Sequence, residues 1–185
     1  MSSSDTFPKT NESFFLNKEE VRHFSQDGYL LLSSFFTTKQ IESCLDKVRK
    51  YIDETVPLIP SEETFYEVKN DHTTLKQLQR MHIHEPWFDM LFNGKTKQLA
   101  ETLLNGEVIT KNLQYFNKPP KIGKATPPHQ DGYYFKLTPP KAITMWLALD
   151  DVDENNGCVR YVKGSHLKGM RDHSMTGTLG FSQGI

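Results

Sequence analysis

Apolar positions in the first hundred residues recur at helical spacing. Ile41, Leu45, Val48 and Ile52 align along one side of a helix that Thr37 or Thr38 caps. Asp46 and Lys50 are spaced to pair on its wet side, and Pro57 and Pro60 stop it. Upstream, Asn17 followed by Glu20 is a capping-box start. Val21 and Phe24 give the short helix after it an apolar side, and Asp27-Gly28 ends it. Pro86, a good first helical residue, opens a segment running through Phe92 to Asn93-Gly94, and Thr96 to Leu104 forms another, closed by Asn105-Gly106. The compact run Tyr29 to Leu32 reads as a buried strand, and Val56 to Lys76 as a loop. Residues 1–16 read as a flexible lead-in, with Phe14, Phe15 and Leu16 docking back on the domain formed by residues 17–185.

After Gly106 the pattern changes. Glu107 to Phe116, Ala142 to Leu149 and Val159 to Val162 are rich in β-branched and aromatic residues. Pro119-Pro120, Pro127-Pro128, Pro139-Pro140 and the Asp153-Glu154-Asn155-Asn156-Gly157 turn separate them. Helices first and strands afterwards predict an α+β fold with antiparallel strands. The Gly-rich stretch Thr176 to Ile185 ends without a closing element and reads as a disordered tail.

Composition narrows the function. The chain has 185 residues, 22 basic and 23 acidic side chains and a formal net charge of -1, with no concentrated basic block. That argues against nucleic acid as a partner, since such binding rests on phosphate neutralisation. No apolar run is long enough to cross a bilayer, so no membrane association is expected. The polar N-terminus lacks the apolar segment of a secretory signal. Cys44 and Cys158 are the two cysteines, too few for a disulfide framework, which points to a reducing, cytoplasmic setting.

The strongest chemical signal is Thr126-Pro127-Pro128-His129-Gln130-Asp131-Gly132. On an extended strand, residues two apart share a face at about 6.6–6.8 Å. An imidazole nitrogen and a carboxylate oxygen launched from His129 and Asp131 can therefore converge on one metal ion, and the two prolines hold the approach extended. A lone His-x-Asp is nonetheless common, and two ligands are too few for a metal enzyme.

The pair is followed by Met145-Trp146-Leu147-Ala148-Leu149-Asp150-Asp151, then Glu154-Asn155-Asn156-Gly157-Cys158, then Val162-Lys163-Gly164-Ser165-His166. Together with Val21-Arg22-His23-Phe24-Ser25-Gln26-Asp27-Gly28-Tyr29, this order resembles the phytanoyl-CoA dioxygenase family of iron(II)- and 2-oxoglutarate-dependent oxygenases. The resemblance implies a mainly β α+β domain, a double-stranded β-helix of the jelly-roll or cupin-like kind with N-terminal helices flanking it. It implies His129 and Asp131 as iron(II) ligands, with 2-oxoglutarate and dioxygen as co-substrates and a small organic molecule as the substrate hydroxylated. The family's third ligand, a distal His, and the Arg that pairs with 2-oxoglutarate would fall past Ile185 at the family spacing, so the resemblance implies a C-terminally truncated domain whose last strands are missing. Such a chain is expected to be inactive or impaired. The alternative is a non-catalytic binding protein on the same fold; a metal-dependent isomerase on a similar barrel is a further, weaker option.

Other residues weigh less. Asn112, Gln114 and Phe116 share one strand face, so Asn112 and Gln114 could hydrogen-bond 2-oxoglutarate or substrate. Trp146 stands where the family places a Trp close to the iron pocket, but it also reads as a plain core aromatic. Tyr133, Tyr134 and Phe135 suggest an aromatic-lined pocket. Met81-His82-Ile83-His84-Glu85 alternates, which would put His82 and His84 on one strand face. His166 and His173 are assigned no ligand role, and Cys44 reads as inert packing. Oligomeric state is not readable.

Overall fold

The computed structural model describes residues 15–178 and 181–185, so residues 1–14 of the expected lead-in and Leu179-Gly180 of the expected tail lie outside the described residues, while Phe15, expected to dock back, is 83% exposed. Two helices open the fold as their caps dictate. Helix α1 (Lys18–Asp27) carries the full capping box, Asn17 accepting from the Glu20 amide while Glu20 accepts from the Asn17 amide. It ends at Gly28 in the left-handed region, φ 83°. Helix α2 (Thr38–Lys50) is capped in the same way by Thr37 and Gln40. It runs on through a wide turn at Tyr51–Thr55 and a tight one at Val56–Leu58. Its ion pairs differ from expectation: Asp46 pairs with Arg49 at 3.1 Å, and Lys50 with Glu54 at 3.8 Å.

The expected loop 56–76 contains structure. Strands β1 (Thr64–Tyr66) and β2 (Leu75–Leu78) form an antiparallel pair, and β3 (Tyr115–Phe116) joins on the far side of β2. All four residues of β2 are buried, Lys76 and Gln77 included, so no polar-out alternation marked it in the sequence. One helical turn, α3 (Met81–His84), leads into α4 (Pro86–Asn93) with Pro86 at its start, then α5 (Lys95–Leu104), closed by Asn105 at φ 49°.

These elements share one core: Phe36, Cys44, Val48, Tyr51, Leu75, Leu78, Met81, Trp87, Phe88 and Leu91. Ile41 and Ile52 pack against it, in keeping with the predicted stripe. Tyr51 and Trp87 both meet the Phe88 ring edge-on, at 5.4 and 5.2 Å. Cys44 is buried, as expected, and burial pushes its thiol up to about 11.

The strand expectations need correction. Tyr29–Leu32 is not a buried strand; Leu31 is 84% exposed. Of Glu107–Phe116 only Tyr115–Phe116 pairs, and neither Ala142–Leu149 nor Val159–Val162 forms a ladder among the described residues. The fold is α+β as expected, with more helix than strand and without a closed barrel among the described residues. The physical reason is that β-branched sequence favours a pleated surface only when neighbouring strands supply one. The Gly-rich end also departs from expectation: β4 (Ser174–Thr178) and β5 (Phe181–Gly184) form an antiparallel hairpin, and the Ile185 amide donates to the Pro128 carbonyl at 2.8 Å.

Candidate metal centre

The Pro127-Pro128 segment arrives without regular structure, and Gln130 is extended at φ -117°, ψ 121°. Asp131 then begins a short helical turn, α6 (Asp131–Phe135). The pair therefore does not sit on one strand as the spacing suggested, yet the two side chains meet: His129 Nε2 lies 3.1 Å from Asp131 Oδ1. Gln130, extended between them, leaves both side chains on one side of the backbone, and the helical turn begins only at Asp131.

Each member is oriented by a further group. His129 Nδ1 donates to the Pro127 carbonyl at 2.8 Å, which assigns the proton to Nδ1 and aims Nε2 at the carboxylate. Asp131 Oδ2 accepts from the Thr144 hydroxyl at 2.5 Å. The hydrogen bond with Asp131 raises the His129 imidazole above its ordinary range, against burial that pulls it down, with the Pro127 carbonyl adding to the rise. The same bond lowers the Asp131 carboxyl, helped by Thr144 and opposed by burial.

The donor chemistry fits a divalent transition metal. Two ligand atoms about 2.1 Å from one ion and at right angles to each other lie about 3 Å apart, which matches the Nε2–Oδ1 separation. An imidazole with its other nitrogen tied to a carbonyl, beside a carboxylate, suits iron(II). No group of three His, Cys, Asp or Glu that could hold a metal occurs among the described residues.

The other expected residues are dispersed. Asn112 Oδ1 accepts from the Arg80 amide at 2.9 Å, and Gln114 Oε1 accepts from Gln77 Nε2 at 2.6 Å, so both oxygens tie the segment before β3 to the β2 region. Trp146 is 47% exposed and is not a core aromatic. Tyr133 and Tyr134 both send their hydroxyls to Gln183, to Oε1 and the backbone oxygen respectively, and so tie α6 to β5. His82 and His84 share no strand face. His84 Nε2 lies 2.6 Å from Glu63, while His82 meets the Phe92 ring edge and is lowered by burial. His166 contacts the Ser25 carbonyl at 3.0 Å, away from the pair.

Sequence reasoning missed one contributor. Thr144 lies 13 residues beyond Asp131 in a segment read only as strand, and nothing in its local sequence marks it.

The phytanoyl-CoA dioxygenase family model matches residues 24–183. Among curated relatives, the chain is 26% identical to "Phytanoyl-CoA dioxygenase 1" of Oryza sativa subsp. japonica, over 84% of this chain and 67% of the relative. It is 29% identical to "Phytanoyl-CoA dioxygenase domain-containing protein 1 homolog" of Caenorhabditis briggsae, over 90% of this chain and 56% of the relative. It is 27% identical to "Probable alpha-ketoglutarate-dependent hypophosphite dioxygenase" of Stutzerimonas stutzeri, over 90% of this chain and 59% of the relative. The chain thus matches between 56% and 67% of the length of these three relatives.

Proposed function

The chain belongs to the phytanoyl-CoA dioxygenase family, and from that premise we propose that it carries two of the three protein ligands of an iron(II) centre in a 2-oxoglutarate-dependent dioxygenase acting on a small organic substrate. The observation that carries this reading is the 3.1 Å approach of His129 Nε2 to Asp131 Oδ1, with the other imidazole nitrogen committed to a backbone carbonyl. Iron(II), when bound, supplies the chemistry that couples dioxygen and 2-oxoglutarate to hydroxylation.

The residues of the chain bind and orient. His129 offers a lone pair on Nε2, and Asp131 offers Oδ1 while Thr144 holds Oδ2. Asn112 and Gln114, whose oxygens are engaged within the protein, have amide N–H groups with which to meet 2-oxoglutarate or substrate. In this reading Trp146 stands beside the iron, the place the family resemblance gives it. A third ligand and a cation for the co-substrate complete the centre in this reading. The extended segments 107–114, 142–149 and 159–162 take their places in a double-stranded β-helix once further strands pair with them.

A second reading, a non-catalytic binding protein, draws on the two-donor set, since no third donor joins the pair among the described residues. One experiment separates the two readings. In the full protein carrying this chain, iron(II) and 2-oxoglutarate are titrated anaerobically, and oxygen-dependent loss of 2-oxoglutarate is then followed. The dioxygenase reading expects His129→Ala and Asp131→Ala each to abolish turnover, and Thr144→Val to weaken iron binding by about tenfold or more. Turnover undiminished in His129→Ala overturns it. A full protein that folds but neither binds iron nor consumes 2-oxoglutarate supports the second reading.

A further inference from the structure

Between the two proposed ligands, Gln130 is held at several points by the stretch that follows the Ser165–Lys168 turn. Its backbone N–H donates to His173 Nε2 at 3.0 Å. Its side-chain Nε2 donates to the Gly169 carbonyl at 3.0 Å, and its Oε1 accepts from the Arg171 amide at 2.7 Å. His173 is fixed in turn. Nδ1 donates to the Arg171 carbonyl at 2.9 Å, and the ring stacks on Tyr133 with centroids 4.1 Å apart and planes 15° from parallel.

This arrangement has two consequences. Both ring nitrogens of His173 are engaged, one as donor and one as acceptor, so this imidazole has no lone pair directed at a metal ion. The Gln130 amide it holds also sits at the point where the chain turns. Gln130 is extended and Asp131 starts α6, which has no side-chain cap. The extended Gln130 keeps the two ligand positions on one face, and Oδ1 lies 3.1 Å from Nε2.

We propose that His173 is a positioning residue for the His129–Asp131 pair: it pins the Gln130 peptide and so fixes the extended backbone from which the two donors converge. This rests on the metal reading above, in which the pair binds a divalent ion. His173 acts through the backbone, while Tyr133 supplies the surface that orients its ring.

The test uses cobalt(II) alone as the probe, on the full protein carrying this chain, with amide hydrogen exchange at Gln130 as a readout independent of metal and of activity. His173→Phe keeps a ring to stack on Tyr133 and removes both hydrogen bonds. His173→Gln retains one acceptor and one donor and checks for rescue. His173→Phe is expected to speed Gln130 exchange at least tenfold and to weaken cobalt affinity by about tenfold to a hundredfold. The visible spectrum of the bound ion keeps its form, and His173→Gln recovers most of both effects. Cobalt affinity and Gln130 exchange both unmoved in His173→Phe overturn the proposal. So does a spectrum that loses one imidazole ligand, since His173 would then bind the metal itself. If the unaltered protein binds no cobalt, the metal reading falls and takes the positioning role with it. Retained cobalt binding with an unmoved Gln130 amide overturns the brace alone.

Discussion

The stretch from Phe36 to Leu99 and the stretch from Gly106 onward both contain large apolar residues but place them differently. The first contains every hydrophobic residue that is buried among the described ones. In the second, Ile109 is 80% exposed, Val162 75% and Met175 88%. The difference lies in how each element satisfies itself. A helix closes its own backbone hydrogen bonds and brings a finished apolar stripe to the core, so α2, α4 and α5 can pack within this chain. An extended segment leaves its backbone groups and both faces dependent on neighbours. Residues 142–149 and 159–162 have no ladder partners among the described residues, and most of their side chains are exposed, Leu149 packing against the core and Tyr161 on Tyr29. The first region even buries ions, with Lys76 against Glu67, and Glu63 between Arg80 and His84.

The largest expected effect separates the two regions directly. Phe88 is 1% exposed and sits among Tyr51, Trp87 and the β2 leucines, so Phe88→Ala should cost about 3–5 kcal/mol in urea unfolding. Val162→Ala, made in solvent, should change stability by no more than about 0.5 kcal/mol. Equal costs would mean that the second region is packed as tightly as the first.

The two cysteines sharpen the same contrast by a chemical route. Cys44 is 4% exposed with its thiol pushed up to about 11, while Cys158 is half-buried. A thiol-directed alkylating reagent at mildly alkaline pH should label Cys158 first and reach Cys44 only when the fold opens. The sign for stability follows from the raised thiol. Between its ordinary value of 9.0 and about 11, the folded chain keeps the Cys44 proton that the unfolded chain has lost. Stability from this group is complete below the lower value and falls as pH rises through the window, by about 2–3 kcal/mol in all. A Cys44→Ala variant with an identical alkaline stability profile would contradict this.

What was legible in the sequence divides along the same line. Asn17 with Glu20, the Thr37 cap, Pro86, and Asn105 all act within one helical turn, so their meaning survives without knowledge of the rest of the chain. The β1–β2 pair was hidden because Lys76 and Gln77 are buried through partners far along the sequence, Gln77 through Gln114. The strand expectations after Gly106 overreached because β-propensity reports the fit to a sheet that other segments must build. At the candidate site, the same-face argument brought His129 and Asp131 together and the structure pairs their side chains. The extended Gln130 between them belongs to no ladder, and the 169–173 stretch that holds it was not readable from local sequence.

The smallest effect probes where the second region touches the helix that precedes the first. The Lys163-Gly164-Ser165-His166 turn lies against the end of α1. The Gly164 amide donates to the Asp27 carbonyl at 2.8 Å, Lys163 pairs with Asp27 at 3.0 Å, His166 Nε2 contacts the Ser25 carbonyl at 3.0 Å, and Tyr29 stacks on Tyr161 at 5.8 Å. Gly28 is the point of closest approach: it holds φ 83°, and a Cβ there would stand 2.3 Å from His166 Nδ1. Gly28→Ala therefore carries two costs, about 1–2 kcal/mol for a left-handed alanine and about 1 kcal/mol for the His166–Ser25 hydrogen bond lost when the ring moves aside. Only the first remains if His166 is already absent. A double-mutant cycle of Gly28→Ala with His166→Ala should show a coupling of about 1 kcal/mol, the second substitution reducing the cost of the first. A coupling of zero would mean that the turn does not dock on α1 in solution.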